Sequence, residues 1–315
     1  MIEKRPLVVL TGPTAVGKTN LSILLAKKIG GEIISADSMQ VYRGMDIGSA
    51  KIMPEEMQGV RHHLIDILEP DEEFNVVSFQ KRCKDAIEEI YQRGNIPILT
   101  GGTGFYIQAV LKDVDFAAND EDTTYRKQLE EMAATNGAMF LHQMLREVDE
   151  KAAEEIHANN VKRVIRALEF FKQTGKKISE HNEEESEKQW AYNACYFVLN
   201  DERSKIYERI DLRVDLMLAN GLVDEVKALM QKGYTRELVS MQGLGYKEII
   251  AYLEGEISLE EAVYILKRDT RHFAKRQLTW FKREKEVVWL DKSLYSDEEL
   301  LCMMCEMMKE KGIIE

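Results

Sequence analysis

Residues 7–19 read LVVLTGPTAVGKT, and this stretch decides the fold expected for the chain. The apolar run at 7–10 is typical of a buried strand, and the turn after it leads into a helix predicted over 18–29. The stretch also matches the phosphate-loop (P-loop) pattern G-x-x-x-x-G-K-[ST] in the strand, loop and helix context that this pattern requires. We therefore predict a loop that binds a diphosphate or triphosphate at the first strand of an α/β fold.

The predicted phosphate site combines backbone and side-chain donors. Glycines allow the N–H groups of the loop to surround phosphate oxygens, and the N-terminus of the helix adds partial positive charge. In this pattern Lys18 meets a terminal phosphate, whereas Thr19 can coordinate Mg²⁺. The residues assigned to the site are Gly12, Pro13, Thr14, Ala15, Val16, Gly17, Lys18 and Thr19.

Short apolar runs alternate with helical stretches in the N-terminal part of the chain. Strands are predicted at 32–35 and 96–99, with a helix over 77–92 before the second of them. Further along, β-type runs at 192–199 and 287–290 are expected to join the same sheet. The repetition of strand, helix and strand implies a parallel sheet with right-handed crossovers, flanked by helices.

Composition changes after Val114, where the sequence becomes helix-forming and shows no strand-like alternation. We therefore predict a P-loop α/β core made of residues 1–114 and 189–315, with a mostly helical insertion domain at 115–188. At the end of the insertion, the polar stretch HNEEESEKQ at 181–189 is interpreted as a loop. Nearer the C-terminus, Ser258 with Glu261 three residues later is a capping-box pattern that predicts the start of a helix.

Charge is distributed unevenly along the chain. The net charge of −12 disfavours nucleic-acid binding if the charge is spread uniformly. Between 267 and 285, however, eight Lys/Arg stand against two acidic residues, a local charge of +6 that leaves −18 elsewhere. Only charges within about a Debye length, ~8–10 Å, steer a polyanion. The recurring cations Arg268, Arg271, Lys275 and Lys282 form either a solvated stripe or a contact for RNA, and we favour RNA.

The composition is that of an ordinary globular protein, with 44% hydrophobic and 31% charged residues. No apolar run approaches the ~18 residues that a membrane span needs, and none is typical of a secretory signal. The four cysteines do not suggest a disulfide framework, and we expect Cys302 and Cys305 to pack in a helix rather than bind zinc. We expect a cytoplasmic protein without membrane contact and, in the absence of heptads, a monomer.

The residues after the other predicted strands do not match an ordinary phosphoryl transferase. The third strand runs into Thr100-Gly-Gly-Thr103 rather than an acidic metal ligand, and the acidic residue Asp37 follows the second strand instead. Because ligands bind outside the carboxyl ends of parallel strands, Asp37 is expected to face the P-loop. A kinase with a helical lid and a non-catalytic RNA-binding ATPase remain open at this point.

Six segments, taken in order, resemble the family of bacterial tRNA dimethylallyltransferases, also called isopentenyl-pyrophosphate transferases: GPTAVGKT, ISADSMQVYRGMDIGSAK, PILTGGTGFYI, NVKRVIRALE, GLVDEV and RQLTWF. The resemblance runs through nearly the whole chain. It implies transfer of a dimethylallyl group from dimethylallyl diphosphate to N6 of the adenosine on the 3′ side of the anticodon. The implied cofactor is Mg²⁺, and the implied partner is a tRNA anticodon stem-loop whose adenine is flipped out of its stack.

The resemblance also implies roles for individual residues. The P-loop would hold the diphosphate of the donor, and Arg213 would contact the same group, a helix-surface ion pair being the alternative for this arginine. Asp37 would accept the proton of the adenine amine, unless it is only a strand-end or Mg²⁺-shell carboxylate. Trp280 fits core packing and RNA contact equally well. The residues that match tRNA contacts are Asp37, Ser38, Met39, Gln40, Thr103, Arg126, Lys162, Arg163, Val164, Ile165, Arg166, Arg276 and Gln277.

Overall fold

The computed structural model of the chain describes residues 4–116 and 124–315. The chain divides into two compact units, each of which has a hydrophobic core of its own. The first unit comprises Met1–Leu111 and Ala191–Glu315, and the second comprises Lys112–Trp190. The second unit is therefore inserted into the sequence of the first.

A parallel sheet of six strands forms the centre of the first unit. In chain order the strands are β1 (Pro6–Thr11), β2 (Gly31–Ala36), β3 (His62–His63), β4 (Ile96–Gly101), β5 (Asn193–Asn200) and β6 (Val288–Asp291). In space they follow the order β3-β2-β4-β1-β5-β6. The predicted parallel sheet and its five predicted strands are confirmed. Sequence periodicity cannot reveal β3, because a strand of two residues is too short to show a pattern.

The strand β1 lies inside the sheet, between β4 and β5. In the register of the sheet, Leu10 lies opposite both Thr100 of β4 and Phe197 of β5, and Ser35 of β2 lies opposite Thr100. The carboxyl ends of these strands therefore finish at one edge. The P-loop, Asp37 and the glycine-rich turn after β4 leave the sheet side by side at this edge, which is where open parallel sheets bind their ligands.

Three helices precede the inserted unit: α1 (Lys18–Ile29), α2 (Val76–Gln92) and α3 (Gly104–Leu111). The helices predicted at 18–29 and 77–92 are confirmed. At the start of α2, the side chain of Asn75 accepts hydrogen bonds from the N–H groups of Val77 and Ser78, both at 3.0 Å. This cap pairs two of the backbone donors that a helix start leaves without partners.

The described residues of the second unit form five helices: α4 (Thr124–Asn136), α5 (Ala138–Val148), α6 (Glu150–Glu155), α7 (Val161–Thr174) and α8 (Ile178–Glu187). The prediction of a loop at 181–189 is wrong, because α8 continues to Glu187. Glutamate is a good helix former. In addition, the buried carboxylate of Asp149 accepts hydrogen bonds from the N–H and hydroxyl groups of Ser179 and so anchors the first turn. A strongly acidic composition is therefore compatible with a surface helix.

The chain after β5 adds α9 (Arg203–Ala219), α10 (Leu222–Gln231), α11 (Tyr246–Leu253), α12 (Leu259–Phe281) and α13 (Asp297–Glu310). The helix α12 begins where predicted, and the Ser258 side chain accepts a hydrogen bond of 3.1 Å from the N–H of Glu261. Both cysteines lie on α13; Cys305 packs into the core, whereas Cys302 is exposed. None of the helices in the described part of the chain combines the length and the apolar character that crossing a membrane requires.

Candidate active site

The P-loop between β1 and α1 has a backbone conformation that few residue types tolerate. Gly12 and Gly17 have φ angles of 147° and 94°, and Ala15 has a φ angle of 62°. A non-glycine residue in the left-handed region costs about 1–3 kcal/mol and persists only where its surroundings hold it. Here the guanidinium Nε of Arg209 donates a hydrogen bond of 2.9 Å to the carbonyl oxygen of Ala15. The helix α9 therefore supports the loop at its strained residue.

Lys18 opens α1 and folds back over the P-loop. Its ammonium group donates hydrogen bonds to the carbonyl oxygens of Gly12 at 2.9 Å and Pro13 at 2.8 Å. Burial and, to a smaller extent, the charge of Arg213 lower the pKa of Lys18 to about 7, against the opposing effect of Asp37. A phosphate bound beside this ammonium would raise the pKa again. The loop is thus suited to take up an anion together with a proton.

Arg213 lies one turn after Arg209 on α9 and reaches the same loop. Its Nη1 atom donates a hydrogen bond of 3.2 Å to the hydroxyl oxygen of Thr14, its one hydrogen-bond partner among the described residues. Burial and then the charge of Arg209 lower the pKa of Arg213. Arg209 itself forms an ion pair with Asp201 at 2.6 Å. Arg213 is therefore a half-buried cation beside the P-loop and not a member of a surface ion pair.

Gln277 connects α12 to two loops of the site. Its side-chain oxygen accepts a hydrogen bond of 2.8 Å from the N–H of Thr14, and its amide nitrogen donates one of 3.0 Å to the carbonyl oxygen of Gly102. A Cβ atom at Gly102 would overlap this amide nitrogen, so glycine allows the side chain of Gln277 to keep its position. The residue is only 6% exposed. The structure thus places Gln277, predicted as a tRNA contact, inside the protein, where it joins the P-loop to the turn after β4.

Asp37 follows β2 and presents one carboxylate oxygen that is not engaged. Its Oδ1 atom accepts hydrogen bonds from the N–H groups of Met39 at 2.8 Å and Gln40 at 3.3 Å. Within the described part of the chain, no hydrogen bond reaches Oδ2. Burial raises the pKa of Asp37, although the two backbone hydrogen bonds and the charge of Lys18 oppose the increase. A carboxylate held by one oxygen, with a raised pKa, can accept a proton on the other.

The turn after β4 lies against the end of β2, next to Asp37. The N–H of Thr103 donates a hydrogen bond of 3.3 Å to the carbonyl oxygen of Ala36, and a Cβ atom at Gly101 would overlap the same peptide group. The glycines of this turn therefore allow close contact between two backbones. The predicted tRNA contacts near this turn are all partly exposed: Ser38, Met39, Gln40 and Thr103.

In the basic segment at 267–285, some Lys and Arg side chains form ion pairs with acidic residues and others do not. Near its start, Lys267 and Arg271 form ion pairs with Asp215 at 2.6 Å and Asp211 at 2.5 Å, both of which are acids of α9. Further along, Lys275, Arg276 and Arg283 form no ion pair with any described carboxylate. These three cations belong to a surface groove of about 410 Å³, which is lined by His272, Lys275, Arg276, Thr279, Trp280 and Arg283.

Trp280 has both of the environments expected for it. Its indole packs on α3, because a Cβ atom at Gly104 would overlap it and the ring of Phe105 lies 6.1 Å from it between centroids. The same side chain lines the basic groove. Its indole N–H is buried and meets no acceptor among the described residues. Packing and surface contact therefore do not exclude each other at this position.

In the second unit, the predicted tRNA-binding run at the start of α7 separates into surface and core residues. Lys162 and Arg163 are exposed, and Arg166 is half-buried. Val164 and Ile165, by contrast, are 0% and 5% exposed and belong to the core of the unit. Because α7 turns once in 3.6 residues, each residue is rotated by about 100° from the one before it, so Lys162 and Arg163 lie on the exposed side and Val164 and Ile165 on the buried side. Only the cations of this run present side chains to the surface.

Arg126, another predicted tRNA contact, has a structural partner within the second unit. Its Nε and Nη2 atoms donate hydrogen bonds of 2.9 Å and 2.8 Å to the two carboxylate oxygens of Glu169, which is buried. Bidentate pairs of this kind fix both position and orientation. Arg126 therefore joins α4 to α7, and part of its charge is already neutralised.

A family model described as IPP transferase matches residues 40–284, which is most of the chain. The tRNA dimethylallyltransferase of Lachnoclostridium phytofermentans is 66% identical to this chain over 99% of its length and over 100% of the relative. The chain belongs to the IPP transferase family. The resemblance expected from the six sequence segments is thereby confirmed.

Solved structures of other IPP transferases share the fold. A tRNA isopentenylpyrophosphate transferase from Bacillus halodurans is 46% identical, with a TM-score of 0.74 over 98% of each chain. A eukaryotic dimethylallyltransferase acting on tRNA is 31% identical, with a TM-score of 0.85 over 97% of this chain and 80% of the other. The parallel sheet flanked by helices is therefore common to bacterial and eukaryotic proteins of this kind.

Two cations of this IPP transferase lie beside the P-loop without being part of a motif. Arg209 precedes Arg213 by one helical turn, so the helical spacing of the two arginines was a usable signal in the sequence. Lys292 follows β6, and its ammonium group lies against Gly17. No local pattern marks Lys292, because more than two hundred residues separate it from the loop that it contacts.

Proposed function

We propose that this IPP transferase moves a dimethylallyl group from dimethylallyl diphosphate to N6 of the adenosine that follows the anticodon of a tRNA. The products are N6-(dimethylallyl)adenosine and diphosphate. The observation that carries the proposal is that Asp37, with its unengaged Oδ2, and the P-loop share one edge of the sheet. This pairing suits the attack of a nucleophile that must lose a proton on a donor that loses a diphosphate. Relatives named tRNA dimethylallyltransferase support the same substrates.

The donor end of the site consists of groups that stabilise negative charge. When the allylic C–O bond breaks, its electron pair stays on the diphosphate oxygen. The backbone N–H groups of the P-loop, the N-terminus of α1, Lys18 and Arg213 would stabilise that charge as it develops. Arg213 suits this role because its hydrogen-bond partner is the neutral hydroxyl of Thr14, so a phosphate need not displace a carboxylate.

The oxygen ligands that the protein offers beside the P-loop fit a Mg²⁺ ion that binds together with a diphosphate. The side chain of Thr19 is exposed in the first turn of α1 and offers a hydroxyl oxygen. The described residues contain no group of three or more His, Cys, Asp or Glu that would hold a metal without help. Mg²⁺ commonly takes one or two protein oxygens and completes its shell with phosphates and water. We propose that Thr19 holds the ion in this way, and that the bound ion neutralises part of the diphosphate charge.

The acceptor end of the site needs a base, because the lone pair of the adenine amine is delocalised into the ring. As the nitrogen forms its bond to the allylic carbon, it gains positive charge and becomes acidic. The Oδ2 atom of Asp37 would then accept the proton, which leaves a neutral substituted amine and a neutral carboxyl group. General-base catalysis of this kind contributes ~10²- to 10⁴-fold to the rate. The raised pKa of Asp37 brings the base closer to the range in which it works well.

A tRNA anticodon loop can supply its adenine at modest cost. Flipping a base out of a single-stranded loop costs roughly a few kcal/mol, less than removing it from a duplex. In the first unit we propose that the basic groove of α12 and the exposed parts of the turn at Thr103 contact the RNA. In the second unit we propose contacts from Lys162 and Arg163, whose side chains are exposed. One copy of the chain is expected to act on one tRNA.

The test is a pair of labelling reactions with unmodified tRNA and Mg²⁺. One contains dimethylallyl diphosphate labelled in its prenyl group, and the other contains ATP labelled in its γ-phosphate. Nucleoside analysis of the RNA is expected to find the prenyl label on a single adenosine next to the anticodon. Absence of prenyl label, together with release or transfer of phosphate from ATP, would instead indicate a kinase or an ATPase and would overturn the proposal.

A further inference from the structure

Lys292 lies against the P-loop although it comes from the far end of the sheet. It follows β6, and its N–H donates a hydrogen bond of 2.9 Å to the carbonyl oxygen of Asn200 at the end of β5. From there the side chain runs to Gly17, the residue before Lys18. A Cβ atom placed on Gly17 would lie 2.8 Å from the Nζ atom of Lys292 and 3.8 Å from its Cε atom. The ammonium group therefore contacts the backbone of the loop.

One carboxylate holds Lys292 in this position. The Nζ atom lies 2.7 Å from Oδ1 of Asp297, and the side chain of Lys292 is 17% exposed. The other oxygen of Asp297 accepts a hydrogen bond of 2.9 Å from the side-chain amide of Asn20 on α1. Asp297 is also the first residue of α13, where the helix N-terminus favours negative charge. Asp297 therefore keeps favourable partners even when Lys292 turns away from it.

We propose that Lys292 is a further diphosphate-binding residue of this IPP transferase, an inference that rests on the proposed function. Phosphates in a P-loop bind to the N–H groups at the start of the following helix, and Gly17 is the N-cap of α1. An ammonium group in contact with Gly17 is thus close to the bound anion. The ligand is the diphosphate group itself, whether it is carried by the donor or released as product.

The position of Lys292 complements the cations already present. Lys18 and Arg213 approach the P-loop from α1 and α9. Lys292 approaches it from the end of β6, at the residue between the loop and the helix. A diphosphate carries several negative charges, and each charge-assisted hydrogen bond to it adds to affinity. A third cation would therefore strengthen the binding of diphosphate without contributing to the binding of tRNA.

Lys292 could instead have only a structural role, because its contact with Asp297, together with the contact of Asp297 with Asn20, links β6, α13 and α1. The two roles predict different effects of substitution. If Lys292 only joins these elements, Lys292→Met and Asp297→Asn break the same ion pair and should change diphosphate binding to the same extent. If Lys292 binds diphosphate, the two substitutions differ. Lys292→Met removes a cation that contacts the ligand, whereas Asp297→Asn removes the carboxylate that competes for it.

The experiment measures the dissociation constant of inorganic diphosphate by calorimetry in the presence of Mg²⁺, together with KM for dimethylallyl diphosphate and for tRNA. Four variants are compared with the wild type: Lys292→Met, Lys292→Arg, Asp297→Asn and Lys311→Met. Lys311 is the matched control, because its ammonium group donates a hydrogen bond of 2.8 Å to Ala194 at the start of β5, on the opposite edge of the sheet. The control thus loses one lysine charge at the other end of α13.

We expect Lys292→Met to weaken diphosphate binding and raise the donor KM by roughly tenfold, with an unchanged tRNA KM. Lys292→Arg should recover most of the affinity for diphosphate. Asp297→Asn should bind diphosphate at least as tightly as the wild type does. Lys311→Met should bind it with wild-type affinity. Equal weakening in Lys292→Met and Asp297→Asn would overturn the inference, as would wild-type affinity in Lys292→Met. A wild-type enzyme that binds diphosphate but transfers no dimethylallyl group to tRNA would contradict the proposed function and leave Lys292 as a diphosphate ligand.

Discussion

The side-chain oxygen of Gln277 accepts a hydrogen bond of 2.8 Å from the backbone N–H of Thr14, so a residue of α12 fixes the shape of the P-loop. The amide nitrogen of the same side chain donates to Gly102 in the turn after β4. The helix with the basic groove is thereby attached to the loop for the donor. A residue that is 6% exposed can act on the donor site through the loop that it positions, without touching the tRNA.

Replacing Gln277 distinguishes this positioning role from direct contact with tRNA. Gln277→Leu leaves the partly buried N–H of Thr14 and the buried carbonyl oxygen of Gly102 without partners, and an unpaired buried group costs about 1–3 kcal/mol. We expect a lower melting temperature and a donor KM raised by roughly tenfold, with little change in the tRNA KM. Gln277→Glu keeps the acceptor for Thr14 but places a buried carboxylate oxygen against the carbonyl oxygen of Gly102, so it should be at least as destabilising as Gln277→Leu. An increase in the tRNA KM alone would show that Gln277 contacts RNA.

The pH dependence of diphosphate binding follows from Lys18. Its pKa is lowered to about 7 in the free protein, and a neighbouring diphosphate raises it. Between the two pKa values the complex holds one more proton than the free protein. Diphosphate affinity should therefore be highest below pH 7 and fall by up to about tenfold per pH unit above it, until the pKa of the complex is reached.

Calorimetry in buffers with different heats of ionisation checks this prediction, because it counts the protons taken up on binding. Lys18→Met is the control. Diphosphate also gains or loses protons of its own, and it does so equally with both proteins. The difference in proton uptake between the wild type and Lys18→Met is therefore the contribution of Lys18. Equal proton uptake by the wild type and Lys18→Met above pH 7 would contradict the lowered pKa of Lys18.

Much of the fold can be predicted from the sequence because the strands at the centre of the sheet are buried on both faces. The strands β1 and β4 are continuous apolar runs, and such runs bounded by turns are visible without any alignment. The two failures have physical reasons. The strand β3 contains two residues, and α8 is acidic but is anchored by the contact between Ser179 and Asp149, which are thirty residues apart.

The residues of the candidate site can be predicted from the sequence where they belong to a local pattern. They cannot be predicted where contacts between distant parts of the chain determine their position. The P-loop motif places Lys18 and Thr19, and the strand order places Asp37. The burial of Gln277 depends instead on the packing of α12 against two loops. Ile165 shows the intermediate case, since helical periodicity already separates it from the neighbouring cations of its run.

Asp37→Asn tests the base directly. The amide keeps the size of the carboxylate and its contacts with the N–H groups of Met39 and Gln40, but it cannot accept the proton of the adenine amine. We expect kcat to fall by ~10²- to 10⁴-fold, while the dissociation constants of donor and tRNA change little. In the wild type, activity should be lost as the pH falls through the raised pKa of Asp37, because only the carboxylate accepts a proton. A near-normal rate of dimethylallyl transfer by Asp37→Asn in single-turnover reactions would show that Asp37 is not the base.

The groove of α12 predicts which cations of the basic segment bind RNA. Lys275 and Arg276 form no ion pair with any described carboxylate, whereas Lys267 is paired with Asp215 at 2.6 Å. Removing one cation that binds a phosphate should lower the slope of log affinity against log salt by about one. We therefore expect Lys275→Gln and Arg276→Gln each to weaken tRNA binding and reduce this slope, with an unchanged donor KM. Lys267→Gln makes the same change of charge on the same helix and should leave the slope as it is. Equal slopes for the three variants, measured by filter binding over a range of salt, would show that the groove makes no specific phosphate contact and that only the total charge of α12 matters.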